Sequence, residues 1–347
     1  MKELAWDIGT TYDLFVSLNV LNRPVQFGLR PSWAAGVRSR LPVAQRQFME
    51  SLSGFFYTPL EWIHNLPPTA KAAGEAVRYI NALPSTELLA RFTFTGDTPA
   101  NVVRTLTGIA ESHQATLSQR ALLQKNYFPG EMLTEDARNR LITAWEDVAA
   151  FGDGFKAMLT SYYESFFAEE EARIQPILSD ALNNAQQKAK NVPLPDLLDE
   201  LSHGVKLEKV FTQPGIILVP SYWSSPLIIY RPIRSDQVLM LFGCRPSDQT
   251  LIPGDVVPDQ ILGTLKALAD PTRLQMLRYL KAEPMTASAL SRKLRLRPPT
   301  VTHHLQQLRL AGLVQIILEP DGEKKYALRA EALKGTQKLL EKYISGN

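Results

Sequence analysis

The sequence predicts a mainly helical α+β protein, made of a large helical N-terminal domain with a short antiparallel β segment and a smaller C-terminal unit. Three observations support this prediction. Apolar residues recur at helical spacing over most of the first 190 residues. Short β-like runs separated by prolines follow at 205–243, and the net charge changes sign near residue 259. We therefore expect domains at 1–245 and 259–347, joined by a proline-containing linker at 246–258.

The charge is unevenly distributed. Residues 259–347 contain 15 lysines and arginines against 8 acids, a net charge of +7, whereas the preceding residues contain 23 against 27, a net charge of −4. A basic unit beside a mildly acidic one is typical of a nucleic-acid reader attached to a regulatory domain.

The amino-acid composition also indicates the cellular compartment in which the protein is expected. The single cysteine, Cys244, excludes an internal disulfide and fits a reducing cytoplasm; it follows an apolar run, which favours a buried inert thiol over a redox sensor. No apolar segment approaches the length of a membrane span, and the first residues lack the pattern of a signal peptide. We therefore expect no membrane association.

Helical periodicity predicts several N-terminal helices, among them segments at 32–66, 134–151 and 155–190, with Pro176 expected to kink or interrupt the last. The aromatic residues of that last segment cover more of a helix than one buried stripe. They indicate core packing, with a ligand pocket or a dimer contact as alternatives; they are Tyr162, Tyr163, Phe166 and Phe167. The three glutamates at 169–171 are interpreted as a solvated turn, because consecutive helical residues diverge by about 100° and do not share a metal ion.

Four short β-like runs, separated by prolines, are predicted to form a small antiparallel meander that closes the N-terminal domain. These runs lie at 205–211, 215–219, 227–231 and 238–242.

A helix, a turn and a second helix are predicted between residues 284 and 314. Thr286 suits the N-cap of the first helix, Pro298 and Pro299 suit the first turn of the second, and Gly312 suits its end. The second helix has an apolar stripe at helical spacing, formed by Val301, Leu305 and Leu308.

The opposite side of the second helix is uncharged and polar. Thr302, His303 and Gln306 lie on it, flanked by Thr300 and Arg309. Side chains of this kind hydrogen-bond to base edges in a major groove. A solvated helix surface is the alternative, but the preceding turn is strongly cationic, as phosphate contacts require; its cations are Arg292, Lys293, Arg295 and Arg297.

A β-hairpin is predicted next, with strands at 313–319 and 324–328 around a turn at 320–323. Lys324 and Lys325 then lie near the hairpin tip, where a DNA backbone would meet them.

Three separated segments resemble the winged helix–turn–helix of ArsR-type bacterial transcription regulators. They are LKALADPTRLQMLRYL (265–280), TVTHHLQQLRLAGLV (300–314) and DGEKKYAL (321–328), about a quarter of the chain. The resemblance implies a homodimer that places two recognition helices in successive major grooves of a pseudo-palindromic operator. It also implies that the first and last helices of the domain form the dimer interface.

The chain departs from the family at its sensor positions. Many members bind metals through cysteines in the first helix of the motif, or through His and carboxylate ligands on the last helix. Here residues 285–288 contain no thiol, and residues 331–344 contain neither His nor Asp. We therefore expect no metal site and no cofactor. Arg297 stands where the family often has a serine N-cap, which adds a cation near the phosphates.

The leading hypothesis is a sequence-specific DNA-binding transcription regulator, a homodimeric repressor in the bacterial cytoplasm, associated with the nucleoid. Its N-terminal domain is expected to sense a small molecule or to set dimer geometry. The alternatives are an enzyme domain fused to a DNA-binding winged helix, or a winged domain used for protein assembly. Phosphate-loop, dinucleotide-binding, HExxH and GxSxG motifs do not occur in the sequence, so we do not expect an enzyme.

Overall fold

The computed structural model describes most of the chain and confirms the predicted fold class, since the protein is mainly helical with small sheets. The described residues are 3–27, 29–127, 132–202, 205–206, 214–234, 236–246, 259–318, 323–329 and 331–345. No helix within these ranges combines the length and apolarity needed to cross a bilayer.

In its described residues, the N-terminal part begins with one strand and continues with a long helical region. A short strand and three longer strands then follow. Its elements are β1 (Glu3–Trp6), α1 (Thr10–Asn22), α2 (Pro31–Arg38), α3 (Val43–Ser51), α4 (Leu60–His64), α5 (Ala73–Ala82), α6 (Ser85–Thr93), α7 (Ala100–Ser112), α8 (Leu117–Asn126), α9 (Glu135–Glu146), α10 (Val148–Tyr162), α11 (Ala168–Ala189), α12 (Leu194–Leu201), β2 (Val205–Lys206), β3 (Gly215–Ser221), β4 (Ile229–Arg234) and β5 (Gln237–Gly243).

Among its described residues, the C-terminal part contains five helices and three strands. They are α13 (Asp259–Leu268), α14 (Pro271–Ala282), β6 (Met285–Thr286), α15 (Ala287–Leu294), α16 (Pro298–Leu310), β7 (Val314–Leu318), β8 (Lys324–Leu328) and α17 (Ala332–Ser345). The predicted linker at 246–258 lies outside the described residues except for its first residue, so the predicted domain boundaries stay predictions.

Helix α10 passes through the main hydrophobic core. Phe155 is fully buried and its ring lies 5.0 Å from Phe92, 5.4 Å from Phe56 and 6.2 Å from Phe15, measured between ring centroids. Aromatic rings at such separations attract one another beyond the effect of burial alone. The core of the N-terminal domain is therefore built on aromatic contacts between distant segments.

The four aromatic residues at the junction of α10 and α11, Tyr162, Tyr163, Phe166 and Phe167, belong to this core. A π-helical turn at Tyr163–Phe167 joins the two helices. Tyr162 and Phe167 are fully buried, while Phe166 packs against Trp33 and Trp223. The wide apolar surface is thus covered by several neighbouring segments of the same domain. Pro176 lies within α11 and does not interrupt it.

The interpretation of residues 169–171 as a solvated turn is wrong for Glu171. Its carboxylate accepts hydrogen bonds from the Ala73 N–H at 2.7 Å and from the hydroxyls of Thr10 at 2.5 Å and Tyr163 at 2.7 Å. Ala73 begins α5, so the carboxylate satisfies a backbone donor that has no partner inside the helix. Glu171 therefore ties α11 to α5 and α1.

The N-terminal sheet has the order β1-β3-β5-β4, and the predicted antiparallel meander is wrong for most of it. Strands β1, β3 and β5 are parallel, and only β4 runs antiparallel to its neighbour β5. All residues of β3 are buried, as expected for a parallel strand covered on both faces. The meander prediction relied on short spacing along the chain and did not include β1.

The two faces of this sheet border different cores. Ile217 and Leu239 face the helical core, whereas Ile216 and Met240 face a second core that also contains Ile316 of β7. Strand β2 pairs in parallel with β7, Val205 opposite Ile316, in a second sheet of order β2-β7-β8-β6. The C-terminal domain is thus attached to the N-terminal domain by a shared core and by backbone pairing.

Helix α10 approaches α6 so closely that Gly152 has no room for a side chain. A Cβ there would lie 2.1 Å from the Ser85 carbonyl oxygen, which is backbone and cannot rotate away. We expect Gly152→Ala to lower the free energy of unfolding by about 1–3 kcal/mol, measured by urea denaturation. The matched control is Gly36→Ala, where no atom lies within 4 Å; it should stabilise by up to about 1 kcal/mol. Equal effects of the two changes would contradict the close approach.

Candidate nucleic-acid interface

Helices α14 and α15 both begin with a side-chain N-cap, as the sequence predicts for Thr286 of α15. The Asp270 carboxylate accepts from the Arg273 N–H at 2.9 Å, and the Thr286 hydroxyl accepts from the Ala289 N–H at 3.2 Å. Each N-cap satisfies one backbone donor that lacks a partner within its helix. Helix α15 ends at Arg295, which takes a left-handed conformation with φ of 54°.

Helix α16 is held by its apolar stripe. Val301, Leu305 and Leu308 are at most 1% exposed and pack in the core of the C-terminal domain. Pro298 and Pro299 occupy its first turn, and Gly312, with φ of 69°, follows its end. The predicted start, stripe and stop of this helix are confirmed.

The side of α16 opposite the stripe is open. Thr300, Thr302 and His303 are exposed, and Gln306 is half-buried. These side chains offer hydroxyl, imidazole and amide groups and no carboxylate. Together we call them the polar face of α16. The helix is anchored by its buried side, so this face is held outward in a fixed orientation.

Three exposed arginines precede the polar face in sequence. Arg292 lies in the last turn of α15, and Arg295 and Arg297 lie between α15 and α16. Within the described ranges no carboxylate forms an ion pair with any of them. Lys293 differs from these arginines, because its Nζ lies 3.2 Å from the Glu283 carboxylate and 5.3 Å from the centre of the Tyr279 ring.

The predicted wing strands are confirmed as β7 and β8, which pair antiparallel. Lys324 is exposed, and Lys325 is half-buried with its Nζ 3.9 Å from the Glu323 carboxylate. The predicted turn at 320–323 is described only at residue 323. Both lysines therefore lie at the hairpin end of the wing strand.

Arg309 is not part of the polar face. It is half-buried; burial lowers the pKa of its guanidinium, and the neighbouring Tyr326 and Tyr230 oppose that shift. Tyr230 belongs to β4 of the N-terminal sheet. The sequence pattern placed Arg309 beside the polar face because it could not show the other domain. In the structure, Arg309 is therefore half-buried near these two tyrosines and does not lie on the exposed side of α16.

The side chains of His304 and Arg273 interact within the C-terminal domain. The His304 side chain is 14% exposed, its Nδ1 lies 4.0 Å from the Asp270 carboxylate, and burial lowers its pKa. Arg273 donates to the carbonyl oxygens of Ala267 and Lys266, both at 2.8 Å. It thereby satisfies acceptors at the end of α13.

A polar cluster in the N-terminal domain has no counterpart among the sequence predictions. Asp7, directly after β1, accepts hydrogen bonds from Tyr12 at 2.7 Å, His64 at 2.8 Å and Lys71 at 2.6 Å. Burial alone would raise the pKa of Asp7, but these bonds bring it down to about 2. Its partners are up to 64 residues away, so no local motif could indicate the cluster.

Cys244 is half-buried, and burial raises the pKa of its thiol. In the part of the chain that the structure describes, no group of three or more His, Cys, Asp or Glu side chains could hold a metal ion.

Comparisons with known proteins identify one part of the chain. A family model described as a helix-turn-helix domain matches residues 268–317, which include α14, α15, α16 and most of β7. Comparisons with curated proteins and with solved structures found no match. The matched segment, its wing strands and its exposed polar face together show that the chain carries a winged helix–turn–helix DNA-binding domain towards its C-terminal end, as expected of a DNA-binding regulator.

Proposed function

We propose that this protein is an ArsR-type transcription repressor, which binds a pseudo-palindromic operator as a homodimer in the bacterial cytoplasm, on the nucleoid. The observation that carries the proposal is the polar face of α16. Three of its four side chains are exposed, it contains no acid, and Arg295 and Arg297 precede it in the chain. In this arrangement Thr302, His303 and Gln306 read base edges, with Thr300 at the margin. The two arginines, with Lys324 and Lys325 of the wing, contact phosphates.

Exposed apolar residues on the outer helices of the DNA-binding domain support the homodimer. Leu265 of α13 is 43% exposed, Leu333 of α17 is 43% exposed and Ile344 of α17 is 75% exposed. Burying such side chains against a second copy contributes about 25 cal/mol per Å2 of apolar area, before the cost of association. Repression follows if the bound dimer covers a promoter.

The contact between the domains supports regulation by an effector. Ile216 of β3 and Met240 of β5 share a core with Ile316 of β7, so a change in the N-terminal sheet reaches the DNA-binding domain through direct contacts. Regulation requires an effector with different affinities for the DNA-competent and incompetent states.

We propose no catalytic activity for the N-terminal domain. The Asp7 cluster resembles a reactive site, but the carboxylate already accepts four hydrogen bonds, including one from the Ile8 N–H at 2.8 Å. Such saturation fits a structural role better than proton transfer.

Selection of bound fragments from random-sequence DNA tests the proposal, and the half-site spacing reports the dimer geometry. We expect the double variant Thr302→Ala/His303→Ala to lose sequence preference, at about 1–3 kcal/mol for each good base contact, while keeping affinity for non-specific DNA. Thr107→Ala, at an exposed threonine of α7, is the control and should bind as the wild type does. If the double variant selects the same sequences as strongly as the wild type, the polar face does not read bases.

A further inference from the structure

The first strand of the wing is paired on both of its edges. Strand β7 pairs antiparallel with β8, and its other edge pairs in parallel with β2, which places Val205 opposite Ile316 and Lys206 opposite Ile317. Strand β2 follows α12 in the N-terminal part of the chain. An unpaired edge strand is open to pairing with another chain, so β2 covers an edge that β7 would otherwise expose.

The side chains of β7 divide between two cores. Val314, which begins the strand, packs in the core of the C-terminal domain. Ile316 and Leu318 are 6% and 8% exposed and lie in the core that is shared with the N-terminal sheet. Ile216 of β3 and Met240 of β5 lie in the same shared core. The N-terminal domain therefore supports the half of β7 that is farther from the helices of the DNA-binding domain.

A buried serine holds β2 in position. Ser202, directly after α12, is 1% exposed. Its hydroxyl accepts from the Val205 N–H at 3.0 Å and donates to the Val205 carbonyl oxygen at 2.7 Å. Buried backbone groups without a partner cost free energy, so this hydroxyl stabilises Val205 in its place beside Ile316. Ser202 is therefore a positioning residue for the pairing of β2 with β7.

We use the name wing contact for the pairing of β2 with β7 together with the burial of Ile316 and Leu318 in the shared core. The groups that face DNA in the proposed function stay accessible while this contact is formed. Thr302 and His303 of the polar face are exposed, and so is Lys324 at the hairpin end of β8. The wing contact is thus compatible with DNA binding, whereas its loss would expose two apolar side chains and remove a support of the wing.

We propose that the wing contact is part of the DNA-binding conformation, and that its release is the step by which the N-terminal domain lowers DNA affinity. With the contact formed, the wing lysines are held in a fixed position relative to the polar face of α16. With the contact released, the hairpin moves relative to α16, and ordering it again reduces the free energy of binding. The effect on DNA affinity rests on the proposed function, whereas the contact and the role of Ser202 do not.

Hydrogen exchange of the full chain without DNA, measured by mass spectrometry, tests the role of Ser202. In Ser202→Ala we expect the β7 amides to exchange at least roughly fivefold faster, the effect of losing about one net hydrogen bond. The α16 amides should exchange as in the wild type, which shows that the DNA-binding domain stays folded. Ser179→Ala, at an exposed serine of α11, is the matched control and should leave β7 exchange unchanged. Unchanged β7 exchange in Ser202→Ala would overturn the role of Ser202.

A disulfide across the same strand pair gives a test that does not depend on the folding of Ser202→Ala. Opposite residues of neighbouring strands lie about 5 Å apart, within the range that a disulfide spans. The variant carries Val205→Cys and Ile316→Cys in a Cys244→Ser background, so that oxidation closes the wing contact covalently. The reduced form of the same variant is the control for the substitutions themselves.

Fluorescence anisotropy with a labelled duplex, of the sequence selected from random DNA, tests the effect on DNA binding. We expect Ser202→Ala to bind this duplex at least roughly fivefold more weakly than the wild type does. The oxidised disulfide variant should bind as tightly as the wild type. Adding Ser202→Ala to the oxidised variant should then have no further effect, because the covalent bond keeps β2 beside β7.

Three results would contradict these expectations in different ways. If the oxidised variant binds DNA more weakly than its reduced form, the closed wing contact is the inactive conformation and the proposal is overturned. If Ser202→Ala exchanges faster in β7 but binds the duplex like the wild type, the contact has no role in DNA binding. If the wild type binds no DNA at all, the proposed function fails, while hydrogen exchange still decides whether Ser202 holds the wing contact.

Discussion

Replacing Arg295 and Arg297 by alanine is expected to weaken binding to every DNA sequence, by roughly 100- to 1,000-fold for a dimer near 0.1 M salt. Both side chains are exposed beside the polar face of α16 and, among the described residues, form no ion pair with a carboxylate. Each neutralised phosphate releases condensed counterions on binding. The slope of log K against log salt should therefore decrease by about one for each phosphate that the variant no longer neutralises, which is about four for a dimer.

Titrations by fluorescence anisotropy at several salt concentrations measure both quantities. Lys293→Ala is the nearby control, because Lys293 is paired with Glu283 and should matter less. Arg104→Ala, an exposed arginine of α7, is the distant control and should leave affinity and slope unchanged. A double variant that matches the wild type at every salt concentration would show that these arginines do not contact phosphates.

Asp13→Asn is expected to remove a large part of the pH dependence of stability. Asp13 is fully buried; one carboxylate oxygen accepts from the Ser221 hydroxyl at 2.8 Å and the Trp223 N–H at 2.7 Å. The other oxygen has no partner in the described part of the chain. Burial raises the pKa of Asp13 to about 6, against the opposing effect of these hydrogen bonds.

The sign follows from proton binding. Between about pH 4 and pH 6 the folded protein keeps a proton on Asp13 that the unfolded chain has lost, so stability falls as pH rises through this window. Two pKa units correspond to about 3 kcal/mol. Asp7 acts in the opposite sense and outside this window. Its pKa is lowered to about 2, so its contribution is complete above about pH 4 and is lost as pH falls further.

Urea denaturation of the wild type and Asp13→Asn at several pH values between about 4 and 7 measures the effect. The difference in unfolding free energy between variant and wild type should increase in favour of the variant by about 3 kcal/mol across this range. Ser118→Ala, at an exposed serine, controls for unrelated pH effects. A difference that stays constant over this range would show that Asp13 does not titrate as its burial requires.

Local signals were sufficient for the helix–turn–helix. Thr286, Pro298 and Gly312 each act on the few residues beside them, and the apolar stripe of α16 repeats at helical spacing. The predicted start of α15 and the predicted limits of α16, β7 and β8 agree with the structure within one or two residues. The exposed face of α16 followed from the same periodicity, because a helix buried on one side is open on the other.

The N-terminal domain depended on contacts between distant segments. Strand β1 pairs with β3, which lies more than 200 residues later in the chain, and no feature of either segment predicts this pairing. In the sequence, nothing distinguishes Glu171 and Asp13 from solvated acids. Only the folded structure brings the backbone N–H groups of Ala73 and Trp223 beside their carboxylates. Arg309 fits the polar face by periodicity, and only its burial in the folded protein shows that it does not lie on the exposed side of α16.

The sequence by itself determined the fold class, the helix–turn–helix and the chemistry of its exposed face. Capping, turn residues and helical spacing act over one or two turns, so they can be read from neighbouring residues. Tertiary structure alone decided the parallel sheet and the packing of the wing against the N-terminal sheet. These features arise because surfaces that lie far apart in the chain are buried against each other. Apolar attraction is non-directional, so a sequence pattern does not indicate which segments pack together.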